Sequence, residues 1–307
     1  MSIYTPVQQV ELEAFISEYS LGSLVSFEGI EAGVENTNYF VTTSNGQFVL
    51  TLVESVSAEQ AQRIVAFQSK LAKADLKVAA PVHDNKGNLV GLLNGRPAVI
   101  AERLTGKPVE EPTIEQSAAI GLELAKFHTV SAEKSNAETA NVIEWCSALF
   151  EELKESMGDE DKALIKEFLL RFTNMPWNIF ASGSVHADLF PDNALFDGEE
   201  LKGVIDFYHT INTPFLYDLA VALNAWCYSE EVGCFYPVKE MAMMKSYTSI
   251  RTLSDDEKNW LKAMRKLAAL RFWLSRLKAQ IVEREGFVVS TRDPRGKRQL
   301  LIHLDAV

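Results

Sequence analysis

Cysteine is scarce in this sequence, and its few cysteines show no metal-binding pattern. Three are present, Cys146, Cys227 and Cys234, so any pairing among them leaves one thiol free. No two of them form the closely spaced CxxC pair that structural zinc sites commonly use. The spacing therefore favours buried free thiols over disulfides or a zinc centre.

Long apolar runs are missing as well. A membrane-spanning helix needs about 20 consecutive apolar residues, and the sequence contains no such stretch. Residues 1–10 (MSIYTPVQQV) lack the basic segment and the apolar run of a secretory leader. We therefore expect a cytoplasmic protein that has no membrane partner.

Positive charge is in the minority. The chain carries 30 Lys and Arg against 42 Asp and Glu, which gives a formal net charge of −12. Nucleic acids are bound through concentrated Lys and Arg, so a nucleic-acid partner is not expected. ATP remains compatible with this charge, because backbone N–H groups, metal ions and a few cations are enough to hold a triphosphate.

The overall composition predicts a globular protein of about two domains, since the 307 residues are 47% hydrophobic. Alternation and turn residues in the first third predict one helix at 58–74 and strands at 24–30, 38–43, 47–53, 89–93 and 97–102. Further on, a loop-and-strand segment at 183–210 interrupts long helices predicted at 114–129, 141–157, 160–172 and 256–284. This change of character places a domain boundary after Leu104, between lobes 1–104 and 105–307.

The most informative stretch is HADLFPDN at residues 186–193, followed by IDF at residues 205–207. Asp188 lies in a predicted loop, Asn193 enters the next strand, and Asp206 ends the strand after it. Phosphoryl transfer uses such a set, because one carboxylate accepts the proton of the acceptor hydroxyl while an amide and a second carboxylate hold Mg²⁺. Taken singly, Asp and Asn in loops usually form turns. Their joint spacing favours a kinase.

The histidines do not have the spacing that a metal-dependent hydrolase would need. A dinuclear hydrolase would combine His186 and His209 with the same two acids, but the paired HxH or HxxxH spacing of metal ligands is absent. His128 ends a predicted helix beside apolar residues. We interpret it as a packed, hydrogen-bonded core histidine rather than a ligand.

These strings resemble the signature of the aminoglycoside phosphotransferase and choline kinase superfamily, H-G-D-x-x-x-x-N followed by an IDF strand end. The match departs at Ala187, where glycine is commonest. The resemblance implies an α+β, protein-kinase-like two-lobed fold, with an N-terminal antiparallel sheet plus a helix and a mainly helical C-terminal lobe. It also implies the use of ATP and Mg²⁺. By position, Asp188 becomes the catalytic base and His186 braces its loop, while the metal ligands are Asn193 and Asp206.

The same resemblance extends to the nucleotide-binding part. Residues 33–38 (GVENTN) resemble the family's G-x-x-N-x-N turn over the phosphates, which makes Gly33, Asn36 and Asn38 candidate ATP-binding residues. A hairpin rich in Asn that binds no ligand is the alternative. Residues 99–106 resemble the hinge between the lobes, which implies that the Glu102 carbonyl and the Leu104 N–H bind adenine.

One position departs from the superfamily in a chemically important way. The third strand usually offers Lys or Arg to the phosphates, and the corresponding ATP-binding position here is Thr51. Three explanations stay open. Arg103 or Lys107 replaces the missing cation, or Mg²⁺ and backbone donors suffice, or the protein is a non-catalytic nucleotide-binding relative.

Longer strings resemble the homoserine kinase branch of the superfamily, namely GVENTNYF, FVLTLVE, HADLFPDNALF, VIDFY, YDLAVALNAWC and ALRFWLSRL. This resemblance implies phosphorylation of the L-homoserine hydroxyl to O-phospho-L-homoserine, in threonine biosynthesis. A zwitterionic substrate needs opposed charges, for which the candidates are Asp192 or Asp218 and Arg271 or Arg276. Kinases of choline, methylthioribose or aminoglycosides remain alternatives, and an aromatic cage for choline would draw on Trp226, Tyr228 and Trp273.

Overall fold

A computed structural model describes residues 4–31, 35–132, 142–281 and 292–306. Its N-terminal part is an antiparallel sheet of five strands in the order β1-β2-β3-β5-β4. The strands are β1 (Leu24–Gly29), β2 (Thr37–Thr43), β3 (Gly46–Leu52), β4 (Gly91–Leu93) and β5 (Arg96–Glu102). The predicted strands are confirmed, although β4 begins two residues later than expected.

The two faces of this sheet have different surroundings because side chains alternate along each strand. On one face Tyr39, Val41 and Leu50 are buried against helix α1 (Gln9–Ile16). Asn38 and Thr51 are directly opposite each other in the β2–β3 pair, so they share the other face. That face carries the polar positions that sequence resemblance assigns to ATP.

Helix α2 (Ala58–Lys73) connects the sheet to the rest of the molecule. It begins with a capping box, in which the Ser57 hydroxyl accepts the Gln60 N–H and the Gln60 side chain accepts the Ser57 N–H. Its apolar residues Ile64, Phe67 and Leu71 pack into a core shared with elements from the second half of the chain. The predicted helix at 58–74 is thereby confirmed.

The C-terminal part is mainly helical. Its helices are α3 (Ile114–Ser131), α4 (Val142–Leu153), α5 (Asp159–Phe172), α6 (Phe215–Trp226), α7 (Pro237–Thr248), α8 (Asp255–Ile281) and α9 (Pro294–Ala306). Its short strands are β6 (Lys107–Pro108), β7 (Ser182–Val185), β8 (Ala194–Asp197), β9 (Glu200–Val204), β10 (Ile211–Pro214), β11 (Tyr228–Ser229) and β12 (Cys234–Phe235). No helix within the described ranges is both long and apolar enough to span a bilayer. The division after residue 104 stays a prediction.

Helix α6 shows why the spacing of hydrophobic residues along the sequence does not predict every helix. Every residue of α6 except Ala225 is buried, so the helix has no polar face and its sequence shows no amphipathic repeat. By contrast, the predicted helices at 114–129, 160–172 and 256–284 match α3, α5 and α8, and residues 282–284 of the last prediction lie outside the described residues. The helix predicted at 141–157 matches α4 and the 3₁₀ turn Lys154–Ser156 that follows it.

An ionic cluster joins α8 and α9 to the β11–β12 hairpin. Glu230 accepts hydrogen bonds from Arg276 Nη2 at 3.0 Å and from Lys297 Nζ at 2.8 Å. Lys297 is 1% exposed. Burial raises the pKa of Glu230, but the neighbouring Lys297 and Arg276 outweigh it and lower that pKa to about 2. The carboxylate therefore neutralises two largely buried cations, Arg276 and Lys297.

We expect Glu230→Gln to lower the free energy of unfolding by about 3 kcal/mol at pH 7, because it leaves buried cations uncompensated. Since the folded-state pKa lies below the unfolded value, the stabilisation is present above about pH 4.3 and is lost as the pH falls toward 2. Urea unfolding measures both effects. Glu200→Gln, which breaks an exposed pair with Lys202, is the matched control and should change little. An equal response of the two variants would contradict the buried-cluster interpretation.

Candidate active site

Two loops that adjoin neighbouring strands form the candidate site. Strands β7 and β10 pair antiparallel, with Val185 opposite Ile211. The loop that follows β7 carries Asp188, and the segment that precedes β10 carries Asp206. The pairing therefore brings both predicted acids to one end of this small sheet. Their proximity is evident electrostatically, because the charge of Asp188 contributes to raising the pKa of Asp206.

Asp218 on α6 holds the backbone of the first loop. Its Oδ1 accepts the Ala187 N–H at 2.7 Å and its Oδ2 accepts the His186 N–H at 3.0 Å. His128 Nε2 lies 3.1 Å from the same Oδ2, and His128 Nδ1 lies 2.7 Å from the Tyr247 hydroxyl. Asp218 and His128 are both fully buried. The prediction that His128 is a hydrogen-bonded core residue is confirmed.

Asp218 was one of two candidates for the partner of the substrate amino group, and its contacts favour a structural role instead. Its side chain has no exposed surface, and both of its oxygens accept hydrogen bonds from the loop. It stabilises Ala187, whose φ of +62° is a left-handed conformation that costs a non-glycine residue about 1–2 kcal/mol. The departure from glycine at this position is therefore tolerated because Asp218 fixes the local backbone.

The Asp188 side chain is held on one side and open on the other. Asn193 Nδ2 donates to the Asp188 carbonyl at 2.8 Å and to its Oδ2 at 3.0 Å. His186 Nδ1 accepts the Asp188 N–H at 3.2 Å, and His186 Nε2 lies 3.0 Å from the Ile205 carbonyl, which fits an Nε2–H tautomer. Arg271 Nη1 lies 3.9 Å from Oδ1. The carboxylate is thus fixed in place while Oδ1 faces a cation.

Asp206 is turned outward by the residue that follows it. Phe207 is 1% exposed, and its ring packs against the rings of His186, Phe67 and Phe127. Asp206 itself has a left-handed φ of +62° and begins the 3₁₀ turn Phe207–His209. Its side chain is exposed. Burial of the aromatic ring in the IDF string therefore presents the Asp206 carboxylate to the cleft, which is the region between this loop and the face of the N-terminal sheet that carries Asn38 and Thr51.

The two acids lie in an electrostatic environment that suits a cation. Loss of hydration raises the pKa of Asp188, and the charges of His209 and Arg271 oppose that rise. Although the Asp206 carboxylate is exposed to solvent, the protein around it limits its hydration, and this loss of hydration together with the nearby Asp188 charge raises its pKa to about 6. A positive ion near both groups would lower both pKa values, because it would offset their mutual repulsion.

The available ligand atoms fit Mg²⁺. Asn193 uses its Nδ2 on Asp188, which leaves its Oδ1 as the acceptor for a metal. Asp206 offers an exposed carboxylate. Mg²⁺ is commonly held by one or two protein oxygens together with phosphate oxygens and waters, so an amide and a carboxylate are sufficient.

On the nucleotide side, Thr51 belongs to an uncharged network that crosses the cleft. Its Oγ1 donates to Asn38 Oδ1 at 2.7 Å and shares a hydrogen bond with the Tyr208 hydroxyl. Asn38 Nδ2 donates to the Asn36 carbonyl at 3.3 Å, and Asn36 Oδ1 accepts the Glu54 N–H at 2.9 Å. The network links β2 and β3 to the loop of Asp206. Contacts of Asn36, Asn38 and Thr51 with ATP stay predictions.

The hinge candidates follow β5. The Glu102 N–H donates to the Ala80 carbonyl at 2.9 Å, whereas no backbone bond within the described residues uses the Leu104 N–H. The Arg103 guanidinium lies 3.8 Å from the centre of the Phe40 ring, and Lys107 is exposed in β6. Adenine binding at Glu102 and Leu104 stays a prediction. Gly33 lies outside the described residues.

On the opposite side of Asp188, Arg271 forms part of an aromatic wall. Its guanidinium lies 4.2 Å from the Phe272 ring centre and 5.6 Å from the Trp145 ring centre. The side chain is 15% exposed, and no hydrogen bond from it reaches another described residue. A largely buried guanidinium with free donors beside Asp188 is well suited to bind an anionic group.

The other predicted substrate-binding residues lie in different environments from that of Arg271. The contacts of Arg276 disfavour a role in substrate binding, because Arg276 is only 8% exposed and its guanidinium binds Glu230 and the Asp293 carbonyl. Asp192 is half-exposed and pairs with Arg292, so its contact with substrate stays a prediction. The aromatic cage considered for choline is not formed by Trp226, Tyr228 and Trp273, which are all buried.

Three residues beside the site were not assigned to it from the sequence. Tyr208 contacts Thr51 across the cleft, Trp145 lies near Arg271, and Glu35 pairs with His209. The VIDFY and GVENTN strings contain Tyr208 and Glu35, but only the three-dimensional pairing of distant segments reveals their partners. For Trp145 the signal is structural, because it is a large aromatic residue on α4 that remains 44% exposed.

Comparison with known proteins agrees with this geometry. The profile of the phosphotransferase enzyme family (APH) matches residues 26–235, a span that contains Asp188, Asn193 and Asp206. The chain belongs to this family. Phosphotransferases of the APH family transfer a phosphoryl group, and the chain is accordingly an ATP:alcohol phosphotransferase by family.

Several curated relatives are similar over nearly their whole length. The homoserine kinase of Methylobacillus flagellatus is 34% identical, over 99% of this chain and 95% of its own. The homoserine kinase of Brucella melitensis biotype 2 is 37% identical, over 96% of this chain and 91% of its own. That of Neisseria meningitidis serogroup B is 34% identical, over 99% of this chain and 100% of its own.

Solved structures of APH-type kinases share the fold. The amicoumacin kinase hAmiN in complex with AMP-PNP, Ca²⁺ and Ami has a TM-score of 0.70 and 15% identity, covering 98% of this chain and 92% of its own. An aminoglycoside phosphotransferase from Alicyclobacillus acidocaldarius has a TM-score of 0.68 and 16% identity, covering 98% and 93%. The predicted α+β, protein-kinase-like fold is confirmed.

Proposed function

We propose that this chain transfers the γ-phosphoryl group of ATP to the side-chain hydroxyl of L-homoserine, giving O-phospho-L-homoserine for threonine biosynthesis. The observation that carries the proposal is full-length similarity to homoserine kinases at 34–37% identity. The retained Asp188, Asn193 and Asp206 support it, because a degenerate relative would have no reason to keep them in this arrangement. The cytoplasm is the proposed location.

Asp188 takes the proton of the homoserine hydroxyl as the hydroxyl oxygen attacks the γ-phosphorus and the bond to the ADP oxygen breaks. Loss of hydration raises the pKa of this carboxyl, which makes it a stronger base once ionised. The hydrogen bond from Asn193 Nδ2 to Oδ2 fixes the orientation of the carboxylate. Oδ1 is therefore the oxygen that receives the proton.

Asn193 Oδ1 and Asp206 would hold Mg²⁺, which neutralises phosphate charge when bound. The Asp206 carboxylate accepts a hydrogen bond from the Tyr208 backbone within its own turn, and it is exposed and directed to the cleft by the packing of Phe207. Asn36, Asn38 and Thr51 would line the phosphates, and Glu102 and Leu104 would bind adenine through their backbone groups. Gly33 belongs to the same proposed turn.

Arg271 would bind the carboxylate of homoserine. It is the cation beside Asp188 on the side of the aromatic residues Trp145 and Phe272, away from the nucleotide sheet. Asp192 remains the proposed partner of the amino group, and it would have to exchange Arg292 for the substrate. The buried positions of Trp226 and Trp273 disfavour a choline cage.

The direct test is incubation of the purified protein with Mg·ATP and L-homoserine, followed by identification of the phosphorylated product by ³¹P NMR and mass spectrometry. We expect phosphate on the side-chain oxygen and stoichiometric ADP. ATP consumption without a phosphorylated amino acid, or no reaction with intact protein, would overturn the proposal.

We expect Arg271→Ala to raise KM for homoserine about 10- to 150-fold, because loss of a charged hydrogen bond costs about 1.5–3 kcal/mol. KM for ATP should change much less, since Arg271 lies on the acceptor side of Asp188. Lys278→Ala, two turns further along α8 in an exposed pair with Glu152, is the matched control. Equal changes in both KM values would place the homoserine carboxylate elsewhere.

A further inference from the structure

The nucleotide side of the cleft is short of positive charge. Thr51 stands where the family usually has a strand cation, and it is bound to the uncharged Asn38 and Tyr208. Of the basic residues of the sheet, Arg96 pairs with Glu54 at 2.9 Å, whereas the exposed Arg103 stacks on the Phe40 ring. A triphosphate bound at this face of the sheet would therefore gain from a further cation supplied by another part of the molecule.

His209 lies where such a cation is needed. It ends the 3₁₀ turn that begins after Asp206, and its Nε2 lies 3.3 Å from Glu35 Oε2 in the turn between β1 and β2. This ion pair crosses from the loop of Asp206 to the turn that resemblance places over the phosphates. Neither side chain is buried, with 28% of His209 and 39% of Glu35 exposed, so a ligand has access to both.

Two basic residues therefore influence Asp188, and each of them contacts a different part of the structure. Arg271 is associated with Trp145 and Phe272, whereas His209 is associated with Glu35 and the nucleotide sheet. The positive charges of both residues lower the pKa of Asp188. Burial lowers the pKa of His209, but the hydrogen bond to Glu35 and the charge of Asp188 outweigh it and raise that pKa. The arrangement provides one cation for the phosphoryl acceptor and another for ATP, the phosphoryl donor.

We propose that His209 binds the terminal phosphate of ATP and supplies, from the loop of Asp206, the positive charge that β3 lacks. The Glu35 carboxylate contacts His209 Nε2, and a phosphate oxygen offers an acceptor with the same sign of charge. Binding of ATP exchanges one anionic partner for the other. This inference rests on the proposed use of ATP, but not on the identity of the acceptor.

The test is calorimetric binding of Mg·ATP and of AMP to the wild-type protein, His209→Gln, His209→Lys and His83→Gln. Glutamine keeps a donor without the charge, lysine keeps the charge, and His83 is an exposed histidine in the segment before β4 that serves as the matched control. AMP lacks the terminal phosphates, so its affinity reports on the integrity of the adenosine site.

We expect His209→Gln to weaken Mg·ATP binding about tenfold or more while AMP binding stays within about twofold. His83→Gln should match the wild type, and His209→Lys should recover most of the lost affinity. Unchanged Mg·ATP affinity in His209→Gln, an equal loss for AMP, or a His209→Lys protein as weak as His209→Gln would each overturn the inference. If the wild-type protein binds no Mg·ATP, the proposed function fails first.

Discussion

Asp188→Asn should lower phosphotransferase turnover by about 10²–10⁴-fold, the usual contribution of a general base. The amide has nearly the same shape as the carboxylate and still accepts the hydrogen bond from Asn193 Nδ2, so the loop keeps its conformation. It cannot take up the proton of the acceptor hydroxyl. Turnover with saturating Mg·ATP and L-homoserine measures the loss.

Asp197→Asn is the matched control for this variant, because Asp197 ends β8 with a side chain that is 77% exposed. Its turnover should equal that of the wild type. The two variants should also have the same thermal unfolding midpoint as the wild type, within the error of the measurement. Turnover of Asp188→Asn within a few-fold of wild type would show that another group accepts the proton.

Asp206→Asn should raise the Mg²⁺ concentration needed for half-maximal activity by at least about 100-fold, since loss of even an outer-shell partner typically costs 10- to 100-fold in metal affinity. Asparagine is the right replacement because it tolerates the left-handed backbone that Asp206 adopts, with φ +62°. The substitution therefore removes the ligand charge without disturbing the 3₁₀ turn. A Mg²⁺ titration of turnover at fixed ATP measures the shift.

High Mg²⁺ should restore part of the activity of Asp206→Asn, whereas it should not restore Asp188→Asn. This difference separates a metal ligand from a base. If the Mg²⁺ titration of Asp206→Asn overlies that of the wild type, Asp206 acts only as the first residue of the turn that positions Phe207.

The arrangement of Asp188 and Asn193 was predictable from the sequence because it depends on local spacing. Asp188 and Asn193 are five residues apart in the same loop, and the hydrogen bonds between them are formed within that loop. The exposed position of Asp206 follows from the burial of Phe207, and the apolar residues of the IDF string already indicate that burial. The strands of the N-terminal sheet were predictable for a similar reason, since alternation along β2 and β3 is a local property.

The roles of Asp218 and Arg276 were not predictable because they depend on partners far away in the sequence. Asp218 binds the Ala187 N–H across 31 residues, and Arg276 binds Glu230 across 46 residues. Charge type alone suggested substrate binding for both. Burial reverses that interpretation, since a buried charge is kept by the partner that neutralises it. The ion pair of His209 with Glu35 is a further long-range contact that no local pattern indicates.

The most direct test of the proposed function is the ranking of acceptors by kcat/KM at saturating Mg·ATP, measured by ADP release. L-homoserine should be phosphorylated far more efficiently than choline, methylthioribose or kanamycin, because Arg271 provides a partner for a carboxylate and the aromatic residues considered for choline are buried. Arg271→Ala should lower kcat/KM for homoserine more than kcat/KM for the other acceptors. If choline or kanamycin ranks above L-homoserine, the assignment of the acceptor is contradicted.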